Sequence, residues 1–271
     1  MADETPEPAP ALQQAFEMAV RRPSTALSGI VTRIIGYREN GTCRLRQVQA
    51  ASLHIPLVIS FGEAFAIGLG RAPGDDDRHG SFAAGLFVGP VTIDSFGRSH
   101  CIQIDFTPLG ARRFLGMPMT ELTDRMVALE DVLGLEGVAL REELGNAPDW
   151  ERRFDIAEAF VLRKLANADA PSSEVAWAYD RIAASGGRAK VSAVAQDIGW
   201  SRKHLARRFT DDIGLGPKSV ARIVRLNRAM EASRAGGAWA GIAADCGYAD
   251  QAHLAREFHE LAGASPTAWA R

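Results

Sequence analysis

VAQDIGWSRKHLARRF at residues 194–209 and AADCGYADQAHLAREF at residues 243–258 are two versions of one sequence pattern. In each version a short segment of mixed apolar and polar residues leads to a glycine, Gly199 or Gly247, and these two glycines lie 48 residues apart. Glycine adopts positive φ without a steric penalty and therefore commonly ends a helix. Since a second helical run follows each glycine, the pattern predicts two helix-turn-helix units.

The residues after each glycine predict how the second helix of each unit begins and packs. Ser201 and Asp250 are good N-cap residues, because their side-chain oxygens accept hydrogen bonds from the free N–H groups of a first helical turn. Large apolar residues then recur four positions apart, which buries one face of a helix. These pairs are Leu205 with Phe209 and Leu254 with Phe258.

The opposite faces carry side chains of the types that bind DNA. Basic and amide side chains hydrogen-bond phosphates and the edges of purines in a major groove. We therefore expect DNA contacts from Arg202, Lys203, Arg207, Gln251, His253 and Arg256. For His253, capping or packing is an equally good interpretation. Glu257 also falls on the face predicted to read DNA, so we expect the first helix to supply more affinity and the second to adjust specificity.

A further helix is predicted between the two units, which we place at about 191–210 and 239–259. Pro217 suits a helix start, and residues 219–234 have helical apolar spacing. Such a helix is about 24 Å long at 1.5 Å per residue. Successive major-groove faces of a duplex repeat at about 34 Å, so one chain can place two recognition helices in neighbouring grooves.

The charge distribution supports this placement. The chain of 271 residues has a net charge of only -2, but residues 172–271 hold 14 Lys and Arg against 10 Asp and Glu. The preceding residues hold 17 against 23. The basic surplus therefore coincides with the repeated pattern.

The first hundred residues have a different pattern. Residues 1–10 are acidic and proline-rich, which predicts disorder, and we expect a short helix over 12–20. Short Val, Ile, Leu and Phe runs between about 28 and 107 predict antiparallel strands in a sandwich or small barrel. The clearest runs are 57–61, 64–69, 82–88 and 102–106, and the charged segment 71–80 is predicted to be a loop.

Helical spacing returns after Pro108 and continues to the end of the chain. We expect helices over 110–115, 129–133 and 150–167, and then a break at 167–173 where Pro171 and polar residues interrupt the pattern. The sequence thus predicts an α+β protein with a β-rich domain at 11–168 and an all-α domain at 169–271.

From about residue 173 to the end, the chain resembles the DNA-binding domain of the AraC/XylS family. The resemblance rests on the order of Gly199, Leu205 and Phe209, the connecting helix, and the final stretch CGYADQAHLAREFHELAGASPTAWAR. It implies that the base-reading positions are Arg202, Lys203, Arg207, Gln251, Ala252, His253 and Arg256. FTPLGARRFLGMP with ELTDRMVALEDVLG is similar to a sensory domain, usually described as a cupin-like β-barrel, that precedes this module in many bacterial regulators.

Cysteine and histidine usage argues against a metal site or an enzyme. Cys43, Cys101 and Cys246 are far apart, so no dithiol or zinc site is expected. His54, His79 and His100 have no H-x-H spacing, so we expect no bound metal and no cofactor. An alkylation-repair regulator is therefore a poor alternative, because its chemistry requires clustered thiols.

We accordingly predict a sequence-specific bacterial transcription regulator that binds double-stranded promoter DNA and is controlled by a small-molecule effector in its N-terminal domain. A ligand-independent repressor or architectural protein, whose N-terminal domain only dimerises, is the alternative. Homodimerisation and contact with RNA polymerase stay open, as do the effector, the operator and the sign of regulation. With no signal peptide and no apolar run of membrane length, we expect a cytoplasmic protein.

Overall fold

A computed structural model describes residues 16–41 and 43–269 and has an α+β fold. The expected disorder of residues 1–10 lies outside the described residues. The strands are β1 Phe16–Arg21, β2 Val31–Glu39, β3 Leu45–Gln49, β4 Ile55–Ser60, β5 Phe65–Leu69, β6 Arg78–His79, β7 Phe82–Ala84, β8 Val91–Ser95, β9 His100–Phe106 and β10 Met126–Ala128. The helices are α1 Pro108–Leu115, α2 Leu129–Leu133, α3 Leu135–Asn146, α4 Trp150–Leu165, α5 Ser173–Ala184, α6 Val191–Asp197, α7 Arg202–Ile213, α8 Pro217–Arg234, α9 Trp239–Asp245, α10 Gln251–Ala262 and α11 Pro266–Trp269.

The strands form two antiparallel sheets. One has the order β1-β2-β9-β4-β7-β10 and the other the order β3-β8-β5-β6. A small cluster of buried residues lies between these sheets, and it consists of Val58, Phe65, Ile67, Phe82 and Cys101. The other buried residues of the larger sheet, such as Ile34, Ile102 and Ile104, belong to the core that continues into the helices. The β-rich architecture predicted for the N-terminal part is therefore confirmed.

Two local predictions in this part are wrong. Residues 16–20 were expected to be helical, but they form β1, which pairs in register with β2 from Phe16 opposite Glu39 to Arg21 opposite Ile34. Phe16, Met18 and Val20 alternate along a cavity between the sheets, and pairing with β2 over the whole strand outweighs the helix propensity of the segment. Within the loop predicted at 71–80, residues 78–79 form β6 because they pair with the end of β5.

Helix α4 covers the outer face of the larger sheet at a point where β2 has no side chain. A Cβ atom added to Gly36 would lie 2.3 Å from Cε3 of Trp150, so only glycine permits this approach. The apolar face of α4 is buried as its spacing predicts, with Phe154 and Phe160 almost fully inaccessible to solvent. Helix α3 was not predicted, because its apolar residues follow no clear helical stripe.

One continuous set of buried hydrophobic side chains runs from the sheets through α1 and α4 into helices α5–α10. In the C-terminal part the four second-helix anchors Leu205, Phe209, Leu254 and Phe258 are each 0% exposed. No helix in the part of the chain that the structure describes is long and apolar enough to cross a membrane.

Candidate nucleic-acid interface

The two predicted turns have the same backbone geometry. Gly199 and Gly247 have φ of 70° and 79°, values that favour glycine. In the first unit the N–H of Trp200 donates to the carbonyl of Ala195 at 2.9 Å, and in the second the N–H of Tyr248 donates to Ala243 at 2.9 Å. These bonds close the first helix of each unit and direct the chain into the second.

Each second helix begins at the predicted cap. The N–H of His204 donates to Oγ of Ser201 at 3.1 Å, and the N–H of His253 donates to Oδ1 of Asp250 at 2.6 Å. The second turn has one more residue than the first, Ala249, between its aromatic residue and its cap. Both helices α7 and α10 have 12 residues and end at a glycine with positive φ. The two units are therefore structural repeats.

Helix α7 presents its basic residues to solvent. Arg202, Lys203 and Arg207 are all exposed, whereas Leu205 and Phe209 are buried on the opposite side. Positions 203 and 207 lie one helical turn apart and therefore share a face. Arg208 and His204 are exposed beside them. This surface can donate hydrogen bonds to phosphates and to the acceptor atoms of guanine.

Helix α10 presents fewer charges. Gln251, Ala252 and Arg256 are exposed, but His253 is half-buried. The His253 ring packs edge-on against Tyr248 with centroids 5.4 Å apart, and its Nδ1 atom lies 3.4 Å from the N–H of Ala249. The histidine thus packs and supports the turn, the interpretation that the sequence left open beside a DNA contact.

The expected position of Glu257 on the reading face is wrong. Its side chain is buried against the connecting helix α8, where Arg222 Nε donates to Glu257 Oε1 at 2.8 Å and Arg225 Nη2 donates to the same oxygen at 3.1 Å. Partial burial lowers the pKa of Arg222, but its hydrogen bonds to Glu257 and Glu260 raise it above the ordinary value. Glu257 follows Leu254 by three positions and precedes Leu261 by four, and this spacing already places it on the buried face.

The connecting helix is longer than predicted. Helix α8 has 18 residues and begins at Pro217, so it extends for roughly 27 Å at 1.5 Å per residue. Val220, Ile223 and Leu226 along its stripe are fully buried. It therefore provides a packed, continuous link between the two units.

The C-terminal ends of both second helices contact the N-terminal part. Arg112 Nε in α1 donates to Oδ1 of the buried Asp212 at 3.1 Å. Thr123 Oγ1 donates to the carbonyl of Gly214 at 2.8 Å. At the end of α10, the N–H of Ala51 donates to the carbonyl of Leu261 at 2.8 Å. The β-rich part thus touches the helices that carry the candidate DNA contacts, on the ends away from their N-caps.

Two adjoining cavities lie between the sheets of the N-terminal part. The larger has a volume of about 300 Å³ and the smaller about 110 Å³. Among the phenylalanines of the strand region, Phe65 lines the larger cavity and Phe82 and Phe87 line the smaller, while Phe61 lines neither. Gln49, Ile93 and Gln103 line both.

The cysteines and histidines form no reactive cluster within residues 16–41 and 43–269. No three His, Cys, Asp or Glu side chains there come together as metal ligands would. Cys101 lines the larger cavity, and burial raises the pKa of its thiol to about 12, so the thiol stays protonated at neutral pH. Cys246 is buried at the end of α9, and burial raises its thiol pKa as well.

Comparison with known families gives two matches. Residues 194–271 match the family described as helix-turn-helix domain, and residues 20–128 match a domain of unknown function, DUF6597. No curated protein matches the chain significantly.

Three solved structures illustrate the distant structural similarity. The C-terminal domain of AraT, a response regulator from Geobacillus stearothermophilus, is 23% identical over 37% of this chain and 86% of that chain, with a TM-score of 0.36. ToxT from Vibrio cholerae is 10% identical over 94% of this chain and 98% of that one, with a TM-score of 0.45. The AraC-like transcriptional activator CuxR is 15% identical over 81% of this chain and 88% of that chain, with a TM-score of 0.29.

The family match covers both repeated turns, the connecting helix and the end of the chain. It coincides with the residues whose spacing predicted two helix-turn-helix units, and the structure forms both units at those residues. On these residues and this match, the C-terminal part of the chain is a helix-turn-helix domain of the AraC type, a DNA-binding module of transcription regulators.

Proposed function

We propose that this regulator binds promoter DNA by placing α7 and α10 in neighbouring major grooves, and that a small molecule bound between the sheets of the N-terminal part controls this binding. The observation that carries the proposal is the solvent-exposed cationic face of α7. Helix α10 occupies the equivalent position in the second helix-turn-helix unit. The proposed DNA contacts are Arg202, Lys203, Arg207, Gln251, Ala252, His253 and Arg256. The proposed domains are 11–168 and 169–271.

The two helices contribute differently in this proposal. Arg202, Lys203 and Arg207 are exposed on α7, and each cation that neutralises a phosphate releases counterions and adds affinity regardless of sequence. On α10, Arg256 is exposed beside two uncharged residues, Gln251 and Ala252. A single arginine next to an amide and a methyl group suits discrimination between base edges better than electrostatic affinity.

The cavities support an effector site. The wall of the larger one is mostly apolar, with Phe65 and Ile93 among its residues, and it has the size of a site for a small molecule. Its polar groups are partly satisfied within the protein, because Arg33 Nε donates to Asp105 at 2.6 Å and Gln103 Nε2 donates to the other oxygen of Asp105 at 2.7 Å. An uncharged or weakly polar ligand fits such a wall.

Selection of duplexes from a random-sequence library by the full-length protein tests DNA binding. We expect enrichment of a two-part site, and Arg207→Ala should bind the enriched duplex at least about fivefold more weakly, the lower end of the cost of losing a specific contact. Arg152→Ala is the matched control, since this arginine is exposed on α4, away from α7 and α10, and its loss changes net charge equally. Failure to enrich any sequence at moderate salt would contradict the proposal.

Thermal-shift screening of small apolar compounds tests the effector site. A ligand that binds only the folded chain must raise its melting temperature, and Ile35→Trp, which fills the larger cavity, should abolish that shift. Arg38→Trp adds the same ring to the same strand at an exposed position outside the cavity and should keep the shift. A shift that survives Ile35→Trp contradicts this site. If no compound in a broad screen binds, the ligand-independent repressor becomes the better assignment.

A further inference from the structure

A buried carboxylate of the C-terminal part, that of Glu257, lies where the second helix-turn-helix unit packs against the connecting helix α8. Glu257 is 5% exposed, and its two carboxylate oxygens accept hydrogen bonds from two arginines of α8. Arg225 Nη2 approaches both oxygens, at 3.1 and 3.2 Å. The guanidinium group is a rigid planar fork, so a hydrogen-bonded pair of this kind restricts orientation more than a point charge would.

Arg225 also contacts the first unit. Its Nη1 atom donates to the carbonyl of Gly187 at 3.1 Å, in the loop that leads into α6. This loop lies so close to α8 that a Cβ atom on Gly187 would be 2.2 Å from the carbonyl oxygen of Ala221. One side chain therefore connects α10, α8 and the approach to the first unit.

The turn of the second unit packs against the same group. The guanidinium of Arg225 lies 5.6 Å from the ring centroid of Tyr248, and Tyr248 in turn contacts His253 near the start of α10. The loop before α6 also contacts the second turn directly. A Cβ atom added to Gly247 would lie 2.9 Å from Cγ of Arg188, the residue after Gly187. The Arg225–Glu257 ion pair thus lies where the two units meet.

We propose that Glu257 is a positioning residue which, through Arg225, fixes the orientation of α10 relative to α7 and thereby sets the spacing between half-sites that the chain accepts. The inference rests on the proposed reading of DNA by both units. Glu257 does not touch DNA in this arrangement, because its carboxylate faces α8. Removing one member of a buried pair leaves the other charge without its partner, so the observed orientation is favoured only while both are present.

The first unit has no corresponding constraint. The position equivalent to Glu257 is Arg208, which is exposed. Helix α7 is instead held at its far end, by Asp212 and Arg112. Orientation between the units is therefore controlled from the second helix-turn-helix, which carries fewer cations.

The test uses full-length protein and the two-part duplex enriched by the wild-type chain. Inserting one base pair between the halves rotates one half-site by about 34°, since a duplex turns once in about 10.5 base pairs. The readout is the ratio of Kd values for the inserted and original duplexes. We expect Glu257→Gln to lower this ratio by about tenfold, the equivalent of losing ~1.4 kcal/mol of coupling, while its Kd for a duplex with only the α7 half-site stays at the wild-type value.

Glu260→Gln is the matched control. It makes the same chemical change three positions away on α10, but Glu260 is largely exposed and pairs only with Arg222. Its spacing ratio should equal that of the wild type. Glu257→Asp keeps the charge on a shorter side chain, so its Kd ratio should lie between those of the wild type and Glu257→Gln. This variant supplies the test if Glu257→Gln does not fold.

The outcomes separate the inference from the function on which it rests. If the wild type distinguishes the original from the inserted duplex and Glu257→Gln does so equally well, the positioning role is wrong and the two-part reading of DNA stands. If the wild type binds one-part and two-part duplexes equally, the proposed reading by both units fails, and the positioning role fails with it.

Discussion

The two helix-turn-helix units share their local construction but differ in what surrounds them. Each has a glycine with positive φ, an oxygen cap and two fully buried apolar anchors. The first unit exposes the cations of α7 and is joined to the N-terminal part through Asp212. The second exposes mainly uncharged side chains and is joined to α8 through Glu257. The two units therefore share the turn geometry, whereas their second helices have different ion-pair partners.

This difference indicates how the protein divides its work. A turn is determined by a few adjacent residues, so it survives while exposed and partner-facing positions change. In the proposed function the first unit supplies most of the DNA affinity, and its contact with α1 lets the N-terminal part influence its position. The second also contacts the N-terminal part, where the N–H of Ala51 donates to the carbonyl of Leu261, but its buried ion pair is with α8 of its own domain.

The largest expected effect tests what the units share. Phe209→Ala and Phe258→Ala each remove a ring that is 0% exposed, so each should lower the free energy of unfolding by about 3–5 kcal/mol. Urea unfolding of the full chain measures both. Trp177→Ala, at a 42% exposed position on α5, is the control and should cost far less. A loss below about 1 kcal/mol for one phenylalanine would show that its unit does not depend on this core.

The next effect tests the attachment of the first unit. Asp212→Asn removes the negative charge of the carboxylate that accepts a hydrogen bond from Arg112. It should lower the free energy of unfolding by about 1.5–3 kcal/mol, the usual value of a hydrogen bond to a charged group. Asp211→Asn makes the same change at the neighbouring, less buried position and should cost much less. Equal losses in the two variants would mean that the contact with α1 adds nothing.

Arg256→Ala tests the division of affinity and specificity. It should weaken binding to the enriched duplex by about 1–3 kcal/mol and relax discrimination at one base pair. Lys203→Ala should instead weaken binding to all duplexes similarly and reduce the slope of log K against log salt by about 0.9, the value for one phosphate contact. Titrations of matched and mismatched duplexes at several salt concentrations measure both. If Arg256→Ala weakens all duplexes alike, α10 does not read sequence through this residue.

Much of the fold could be predicted because its signals are local. Gly199, Gly247, Ser201 and Asp250 specify turns and caps from a few adjacent residues, and the structure forms them there. The role of Glu257 was misjudged because a carboxylate suggests exposure, and its partners on α8 are more than thirty residues earlier.

The helix predicted over residues 12–20 is wrong for a similar reason, because residues 16–21 form β1. Its sequence favours a helix locally, and it becomes a strand only because β2 is available to pair along its whole length. Contacts between distant segments also determine the cavities and the attachment of α7 to α1. The DNA contacts themselves stay predictions, since exposure shows which side chains are available and not which bases they meet.

The smallest effect separates the two turns themselves. Gly199→Ala should lower the free energy of unfolding by about 1 kcal/mol, because alanine is strained at positive φ but its Cβ would meet no atom within 4 Å. Gly247→Ala carries the same strain and in addition places Cβ 2.9 Å from Arg188 Cγ, so it should cost about 2 kcal/mol in urea unfolding. Arg188→Ala removes the side chain that this Cβ would contact. In the Arg188→Ala background, Gly247→Ala should therefore lower the free energy of unfolding by only about 1 kcal/mol, the same loss as for Gly199→Ala. If Gly247→Ala costs no more than Gly199→Ala, the loop before α6 does not press on the second turn, and the two units differ only in their exposed and ion-paired residues.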